Sequence, residues 1–252
     1  MVPLSVVIIT FNEEQNIGRC LESVQGVADQ ILVVDSYSTD NTEAICRDYG
    51  ATFIQHPFEG HIQQKNYAIT QARYPHILSL DADEVLSGEL KASVQRTKSN
   101  WKHDGYSCKR LTNYCGKWIR HSGWYPDRKL RLWDSRKGRW GGNNPHDRFE
   151  LEPGSTTGKL KGDLLHYSFH SIRQHMETVN KFSEAAARSL YERGVRSSTL
   201  KILVKSTAKF IRNYFFKAGF LDGYYGYLIC RISAFSSMLR YAKLKEMYRK
   251  GA

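Results

Sequence analysis

Residues 76–84 read His76-Ile77-Leu78-Ser79-Leu80-Asp81-Ala82-Asp83-Glu84, an apolar strand that runs directly into two carboxylates one residue apart. Mg²⁺ keeps most of its shell for water and substrate phosphates, so one or two protein carboxylates are enough to hold it. A metal held in this way can neutralise a leaving diphosphate. Acidic pairs are also common in solvated turns, and the stretch alone leaves both interpretations open.

Strands and helices alternate upstream of this stretch. Apolar, β-branched runs at residues 4–10 and 30–35 are typical of strands buried on both faces of a parallel sheet. Apolar residues at helical spacing follow the first run, and a shorter helix follows the second. A third strand at 51–54 and a helix at 62–70 lead to the strand before Asp81. This β-α-β-α-β-α-β order predicts an α/β domain with a mostly parallel sheet covered by helices.

Polar clusters follow three of these predicted strands: Phe11-Asn12-Glu13, Asp35-Ser36 and Asp81-Ala82-Asp83. Ligands of open α/β sheets bind beyond the carboxyl ends of the strands, so the clusters are expected to converge on one site. The sequence has no G-x-G-x-x-G after the first strand and no G-x-x-x-x-G-K-[ST]. Dinucleotide cofactors and P-loop chemistry are therefore disfavoured.

These motifs together resemble the donor half of family 2 glycosyltransferases, which have the GT-A fold and use nucleotide-sugar donors. The resemblance rests on Ser5-Val6-Val7-Ile8-Ile9-Thr10-Phe11-Asn12-Glu13-Glu14, on Val33-Val34-Asp35-Ser36 and on Leu80-Asp81-Ala82-Asp83, and spans roughly residues 4–170. It implies a single in-line displacement with inversion, assisted by Mg²⁺ or Mn²⁺. It also implies roles for individual residues: base and ribose contacts from Phe11, Glu13 and Asp35, a ribose or sugar contact from Asp81, and metal ligation by Asp83.

Lys65 and His166 are two further candidates. Lys65-Asn66 resembles a basic-Asn step that precedes the acidic motif in this family, so Lys65 is expected to meet a donor phosphate or an acidic neighbour. The alternative for Lys65 is a solvated helix lysine. The resemblance makes His166 a second metal ligand, because GT-A enzymes often place a histidine near the metal and diphosphate. A structural role at a strand end is the alternative for His166.

Residues 101–150 are rich in Arg, Lys, Trp and Gly and are predicted to be a loop-rich acceptor segment. A single Trp there is more often core than ligand-binding. Guanidinium groups bind phosphate or carboxylate bidentately. Arg128 and Arg131 are accordingly predicted to bind the acceptor or a phosphate. Trp124, one of several tryptophans in this segment, is predicted to bind there as well.

Sugar transfer also needs a base that takes the proton of the acceptor hydroxyl. In the resembled family this residue lies in an acidic motif after a glycine-containing loop. Gly141-Gly142 precedes His146-Asp147 here, so Asp147 is the predicted base. Asp127 is the reserve candidate, although an ion pair with Arg128 or Arg131 is the better explanation for it.

Positive charge is concentrated in the last third of the chain. The whole sequence has a formal charge of +12, and residues 172–252 carry 16 Lys and Arg against 5 Asp and Glu. Lys201, Lys205, Lys209 and Arg212 form one stripe of a predicted helix. Such a basic amphipathic helix can lie in the interface of an anionic membrane leaflet. The alternative is a solvated basic face whose apolar side packs on the catalytic domain.

The C-terminal region also sharpens the resemblance. Residues 215–226 and Asp127-Arg128-Lys129-Leu130-Arg131-Leu132 are similar to bacterial lipopolysaccharide core β-1,4-glucosyltransferases of family 2. This implies UDP-glucose as donor and a heptose of the lipid-linked, anionic inner core as acceptor. Another glycolipid or a polyprenyl-linked saccharide is the alternative acceptor. The expected organisation is a GT-A domain at 1–171, with a donor half at 1–100 and an acceptor half at 101–171, and a basic helical region at 172–252.

Other classes of protein and other locations fit less well. The basic excess suggests a nucleic-acid-binding protein, but the chain has no recognised motif of that kind, and no nucleic-acid partner is expected. A nucleotidyltransferase usually carries a glycine- and lysine-rich phosphate loop that is missing here. No apolar run approaches the length needed to span a bilayer, and no signal sequence is apparent. The expected location is the inner face of the cytoplasmic membrane, as a peripheral protein.

Overall fold

A computed structural model describes residues 1–143 and 146–250, without the side chains of Asn143 and His146. Asn144 and Pro145, part of the predicted acceptor segment, lie outside the described residues. The first third of the chain has the predicted alternation of strands and helices. In chain order the elements are β1 (Leu4–Thr10), α1 (Ile17–Val24), β2 (Gln30–Asp35), α2 (Thr42–Asp48), β3 (Thr52–Gln55), α3 (His61–Thr70) and β4 (His76–Asp81).

Strand β1 lies between β2 and β4 and is parallel to both. Its side chains are buried on both faces, as expected for a continuous apolar run in a covered sheet. Helix α1 covers one face with its buried residues Ile17, Cys20, Leu21 and Val24. Thr10 of β1 lies opposite Asp35 of β2, and Ile9 opposite Asp81 of β4. The parallel register therefore brings the carboxyl ends of β1, β2 and β4 to one edge of the sheet.

Residues 84–169 continue with β5 (Glu84–Leu86), α4 (Gly88–Ser99), β6 (Gly105–Tyr114), β7 (Lys117–Ile119), β8 (Asp127–Asp134), β9 (Gly138–Asn143), β10 (His146–Leu151) and β11 (Thr157–Phe169). The prediction of a loop-rich segment at 101–150 is therefore wrong. Its tryptophans include core residues, since Trp133 stacks on Phe149 with ring centroids 4.1 Å apart and Trp140 packs beside them.

The sheet has the strand order β3-β2-β1-β4-β8-β6-β11-β5, and β9 pairs with β10 in a separate antiparallel hairpin. Strand β8 pairs antiparallel with β4, so the parallel half continues directly into the antiparallel half. The predicted α/β class is confirmed, with β1–β4 pairing in parallel.

The chain divides into two compact units, residues 1–110 with 127–167, and residues 111–126 with 168–252. The predicted boundary at residue 171 lies close to that at residue 167, and the segment 111–126 groups with the C-terminal helices. The second unit contains α5 (Ile172–Glu192), α6 (Thr199–Ile211) and α7 (Gly223–Lys250). Helices α5 and α6 each pack along α7. None of the helices in the described ranges is both long and apolar enough to cross a bilayer.

Candidate active site

The loops that follow β1 and β2 are joined by hydrogen bonds. The backbone N–H of Asn12 donates to Ser38 Oγ at 2.7 Å, and that of Thr39 donates to Asn12 Oδ1 at 2.8 Å. Asp35 is fully buried and accepts hydrogen bonds from the backbone N–H and the hydroxyl of Ser38. Both oxygens of the predicted ribose ligand Asp35 thus hold the loop that follows β2.

Phe11 and Glu13 differ in their surroundings. The Phe11 ring is 56% exposed beyond the end of β1, where a planar base could stack on it. Glu13 accepts a hydrogen bond from Asn16 Nδ2 at 2.7 Å. Burial raises the pKa of Glu13, and the nearby Asp83 acts in the same direction. A ligand that donates a hydrogen bond to Glu13, as a ribose hydroxyl would, stabilises the ionised carboxylate and offsets part of the free-energy cost of burying its charge.

Asp81 lies at the end of β4 between two cations. Lys65 Nζ is 3.0 Å from one carboxylate oxygen, and Arg131 Nη2 is 2.8 Å from the other. Burial opposes ionisation, but Lys65 and Arg131 still hold the pKa of Asp81 well below its usual range. Asp81 is therefore a carboxylate at neutral pH, and its charge is already balanced within the protein.

Lys65 links Asp81 to the predicted base. Its side chain, which projects from α3, is only 6% exposed, and its Nζ is also 2.8 Å from Asp147 Oδ2. Of the alternatives for Lys65, the structure has the acidic neighbour rather than the solvated lysine. Asp147 stands on β10 opposite Gly142 of β9, whose φ of 96° is accessible to glycine and strained for other residues.

Asn66, the next residue of α3, joins the helix to the hairpin. Its Nδ2 donates to the backbone carbonyl of Trp140, and its Oδ1 accepts from the backbone N–H of Trp140, both at 3.0 Å. The ammonium of Lys65 also lies 4.4 Å from the centre of the Trp140 ring. Sequence reasoning noted the Lys65-Asn66 step but missed this role of Asn66, which no local pattern signals.

Glu84 and Arg110 continue the chain of ion pairs. Glu84 is fully buried, and its Oε1 lies 2.6 Å from Arg131 Nη2 and 3.3 Å from Arg110 Nη1. Arg110 Nη2 in turn lies 2.7 Å from Asp127 Oδ2. Sequence reasoning missed both Glu84 and Arg110 as site residues. For Glu84, the available signal was its charge and its position directly after the acidic motif, at the start of β5.

The expected partners of Asp127 are not those found. Asp127 pairs with Arg110 and, at 3.3 Å, with Lys129, so the expectation of a pair with Arg128 or Arg131 is wrong. The physical reason is the extended strand. Arg128 points to the face opposite Asp127 and is exposed, and Arg131 lies four residues farther along β8, about 13 Å away, where it contacts Asp81 and Glu84. Charges of alternating sign thus connect Asp147, Lys65, Asp81, Arg131, Glu84, Arg110 and Asp127.

The two predicted metal ligands lie together. His166 Nε2, on β11, is 3.1 Å from Asp83 Oδ2, and the His166 Nδ1 atom is buried with no hydrogen-bond partner among the described residues. One carboxylate and one imidazole at this separation can reach the same cation and leave its other positions for water and phosphate. The described part of the chain has no cluster of three or more acidic, His or Cys groups able to hold a metal. The pair fits Mg²⁺ or Mn²⁺, which need few protein ligands.

Trp124 belongs to the second unit. Its ring packs with Tyr114, Phe169 and His175, at centroid distances of 5.8 to 6.0 Å. The indole is half-buried in this aromatic cluster. The surroundings of Trp124 are those of a packed residue, and its predicted acceptor contact stays a prediction.

Comparison with known proteins agrees with this geometry. Residues 5–151 match the family described as glycosyl transferase family 2. An uncharacterized glycosyltransferase of Rickettsia typhi is 30% identical over 99% of this chain and 89% of its own length. The lipopolysaccharide core biosynthesis glycosyltransferase LpsC of Rhizobium meliloti is 28% identical over 98% of this chain and 93% of its own length.

Two groups of solved structures are similar at lower identity. S. aureus TarS, residues 1–349, has a TM-score of 0.47 at 14% identity and covers 100% of this chain and 92% of its own. Glucosyl-3-phosphoglycerate synthase from Mycobacterium tuberculosis, crystallised with Mn²⁺, UDP and glucosyl-3-phosphoglycerate, has a TM-score of 0.37 at 21% identity over 44% of each chain. The family match spans more than half of the chain, and the Rickettsia relative spans nearly all of it. The chain therefore belongs to glycosyl transferase family 2.

Proposed function

We propose that this glycosyltransferase moves glucose from UDP-glucose to a lipid-linked anionic saccharide, a heptose of a lipopolysaccharide inner core, with inversion at the anomeric carbon. The observation that carries the proposal is the ion-pair chain that ties Asp147 through Lys65 to Asp81, beside the Asp83–His166 pair. A base candidate and a metal-binding candidate thus belong to one constellation at the carboxyl ends of the parallel strands. Another glycolipid or a polyprenyl-linked saccharide is the alternative acceptor.

The donor half offers groups for each part of a nucleotide sugar. The exposed ring of Phe11 suits a nucleobase, and the partly exposed Glu13 and Asp81 offer oxygens for hydroxyl groups of ribose or sugar. Asp35, fully buried and bonded to Ser38, would hold the loop beside the ribose. Mg²⁺ or Mn²⁺, held by Asp83 and His166, would supply positive charge to the departing diphosphate. Without a metal, the ion pairs leave Asp81 neutralised, and Asp83 faces an imidazole.

Asp147 is the proposed base. The acceptor oxygen forms a bond to the anomeric carbon as the bond from that carbon to the diphosphate oxygen breaks, and the diphosphate leaves with the electron pair. The acceptor proton passes to Asp147, whose orientation Lys65 fixes at 2.8 Å. No covalent intermediate on the protein is needed.

Two observations support the proposed acceptor. The similarity to LpsC, a protein of lipopolysaccharide core biosynthesis, covers nearly the whole chain and supports a core saccharide. The basic last third suits an acceptor that bears phosphate. A peripheral position on the inner face of the cytoplasmic membrane would bring the enzyme to such an acceptor.

The proposal is tested first by calorimetry with UDP, UDP-glucose and GDP-mannose, each with and without Mn²⁺. Metal-dependent binding of the uridine ligands alone would support the proposed donor. Tight binding of GDP-mannose would refute UDP-glucose as donor and retain the enzyme class. A transfer assay with UDP-glucose and a heptose-terminated, lipid-linked core then tests the acceptor, and transfer only to a polyprenyl-linked saccharide would overturn that part.

A further inference from the structure

Helix α6 carries its apolar residues on the outside. Leu200, Leu203, Val204 and Ile211 are 71, 59, 55 and 42% exposed, and α6 has no buried residue. Their spacing of three, four or seven residues places them on one face of the helix. A helix of a soluble protein normally turns such a stripe toward the core. Helix α6 packs along α7 through other positions, among them half-buried Ile202, Lys209 and Phe210, and the Phe210 ring contacts Tyr227.

The exposed apolar surface continues into the turns that follow α6. Phe215 and Phe216 are 58 and 80% exposed, and Phe220 is 49% exposed. Phe215 and Phe220 both contact the ring of Tyr214, with centroids 5.2 and 6.2 Å away. We use the term α6 surface for Leu200, Leu203, Val204, Ile211, Phe215 and Phe216.

Positive charge accompanies the α6 surface without any acidic residue. Residues 193–221 contain seven Lys and Arg and no Asp or Glu. Lys205 and Arg212 are exposed, and on the helix they lie to one side of the apolar stripe. Burial, followed by the neighbouring charges of Arg212 and Arg240, lowers the pKa of Lys209. An anionic surface beside α6 would relieve this repulsion.

We infer that the α6 surface docks on anionic lipid headgroups, with its leucines and phenylalanines in the interface and its basic residues beside lipid phosphates. Amphipathic helices with apolar and basic faces bind anionic leaflets in this way. A second copy of the chain is a poorer occupant, because a symmetric contact through this face would oppose the same seven basic residues from each copy. The inference extends the proposed function, since a lipid-linked acceptor would lie at the same surface.

The experiment is flotation of the full chain with vesicles of phosphatidylcholine alone and of phosphatidylcholine mixed with phosphatidylglycerol. No saccharide or nucleotide is present, so the result does not depend on the proposed donor or acceptor. The test variant carries Leu203→Ser and Phe216→Ser, both at exposed side chains. The matched control is Phe182→Ser, which removes an exposed phenylalanine from α5. Lys205→Gln removes one exposed charge from α6.

We expect the wild type to bind only the anionic vesicles. The partition coefficient should fall by roughly tenfold for each apolar side chain removed. It should fall about fivefold for Lys205→Gln and be unchanged in Phe182→Ser. Failure of the wild type to bind anionic vesicles would overturn the inference. So would equal loss in the Phe182→Ser control, or a concentration-dependent dimer that the double variant abolishes without any vesicle binding by the wild type.

Discussion

Asp81 and Asp83 are two residues apart, and their side chains contact different kinds of group. Asp81 is neutralised by Lys65 and Arg131, whereas the ion-pair partner of Asp83 is the imidazole of His166. A carboxylate that already holds two cations gains less from a further one than a carboxylate beside an imidazole. The two residues of the motif are thus suited to different tasks, with Asp81 as an organiser of the site and Asp83 as a metal ligand.

Replacing Asp83 with Ala should abolish metal-dependent donor binding. A residue that only supports a ligand typically changes metal affinity by 10–100-fold, so loss of the ligand itself should cost more than about 100-fold. The measurement is calorimetric titration of UDP with and without Mn²⁺. Asp134→Ala, which removes a carboxylate paired with Arg136 at the other end of β8, is the control and should retain metal-dependent binding. Undiminished Mn²⁺ dependence in Asp83→Ala would rule out Asp83 as a ligand.

Asp147 and Asp127 are distinguished by the matched variants Asp147→Asn and Asp127→Asn. Both preserve shape, and each removes one carboxylate from the ion-pair chain. Loss of a general base should lower kcat by about 10²–10⁴-fold in Asp147→Asn, with the donor Kd retained. Asp127→Asn should change kcat far less, because Arg110 keeps its contact with Glu84. If kcat falls this far in Asp127→Asn and is retained in Asp147→Asn, the base is Asp127 and not Asp147.

The sequence predicted the residues of the site better than their contacts. Asp81, Asp83, Lys65 and His166 were all proposed from the family motif and the strand ends. The structure pairs Lys65 with Asp81 and His166 with Asp83, and their roles stay predictions. Glu84 and Arg110 were missed because their importance comes from burial between strands that are distant in sequence. The expected partners of Asp127 were wrong because Arg128 points to the opposite face of the strand and Arg131 lies too far along it.

At the scale of elements, α3 holds the β9–β10 hairpin through Asn66. Replacing Asn66 with Ala would leave the backbone N–H and carbonyl of Trp140 without these partners, at a cost of about 1–3 kcal/mol for each unpaired group that is buried. Asp147 should then be held less firmly, so kcat should fall while the donor Kd changes little. Steady-state kinetics and donor calorimetry test this, with exposed Thr70→Ala on the same helix as the control. Equal kcat in both variants would contradict a positioning role.

In the second unit, α5 is joined to the end of β6 through His175. Burial lowers the pKa of His175 from 6.5 to about 4, and its Nδ1 lies 3.0 Å from the Tyr114 hydroxyl. Between these pH values the unfolded imidazole binds a proton that the folded one does not. The free energy of unfolding should therefore fall by about 2 kcal/mol from pH 7 to pH 5 through this group. Urea unfolding of wild type and His175→Gln at both pH values measures this, and equal pH dependence would refute it.

The elements that the sequence predicts well are those with a strong pattern of apolar residues. Continuous apolar runs identified β1, β2 and β4, which are buried on both faces. Strands β6 and β8 mix buried and partly exposed positions without a regular alternation and carry several Arg and Lys, so residues 101–150 were expected to be loops. Tertiary contacts decide that segment: β8 becomes a strand because β4 offers it an edge. The periodicity of the local sequence does not predict the pairing of β8 with β4.

For the whole molecule, the distribution of charge is as informative as the fold. Residues 1–171 carry nearly balanced charge, and their acidic and basic residues include the ion pairs of the site. The excess of +12 lies almost entirely in the last third, where α6 also exposes its apolar stripe. We therefore propose that the contacts with a donor and with a lipid surface lie in different parts of the chain. If that division is correct, one can be removed without the other.

The Leu203→Ser, Phe216→Ser double variant tests that division at the level of the reaction. Its donor binding and its transfer to a detergent-dispersed acceptor should equal those of the wild type, because the substituted side chains are exposed and belong to the second unit. Transfer to the same acceptor embedded in anionic vesicles should fall by about a hundredfold, tenfold for each side chain removed, in proportion to the lost partitioning. Salt should weaken transfer by the wild type more strongly on vesicles than with the dispersed acceptor. Equal loss with both forms of acceptor would mean that α6 serves the catalytic unit itself rather than a lipid surface.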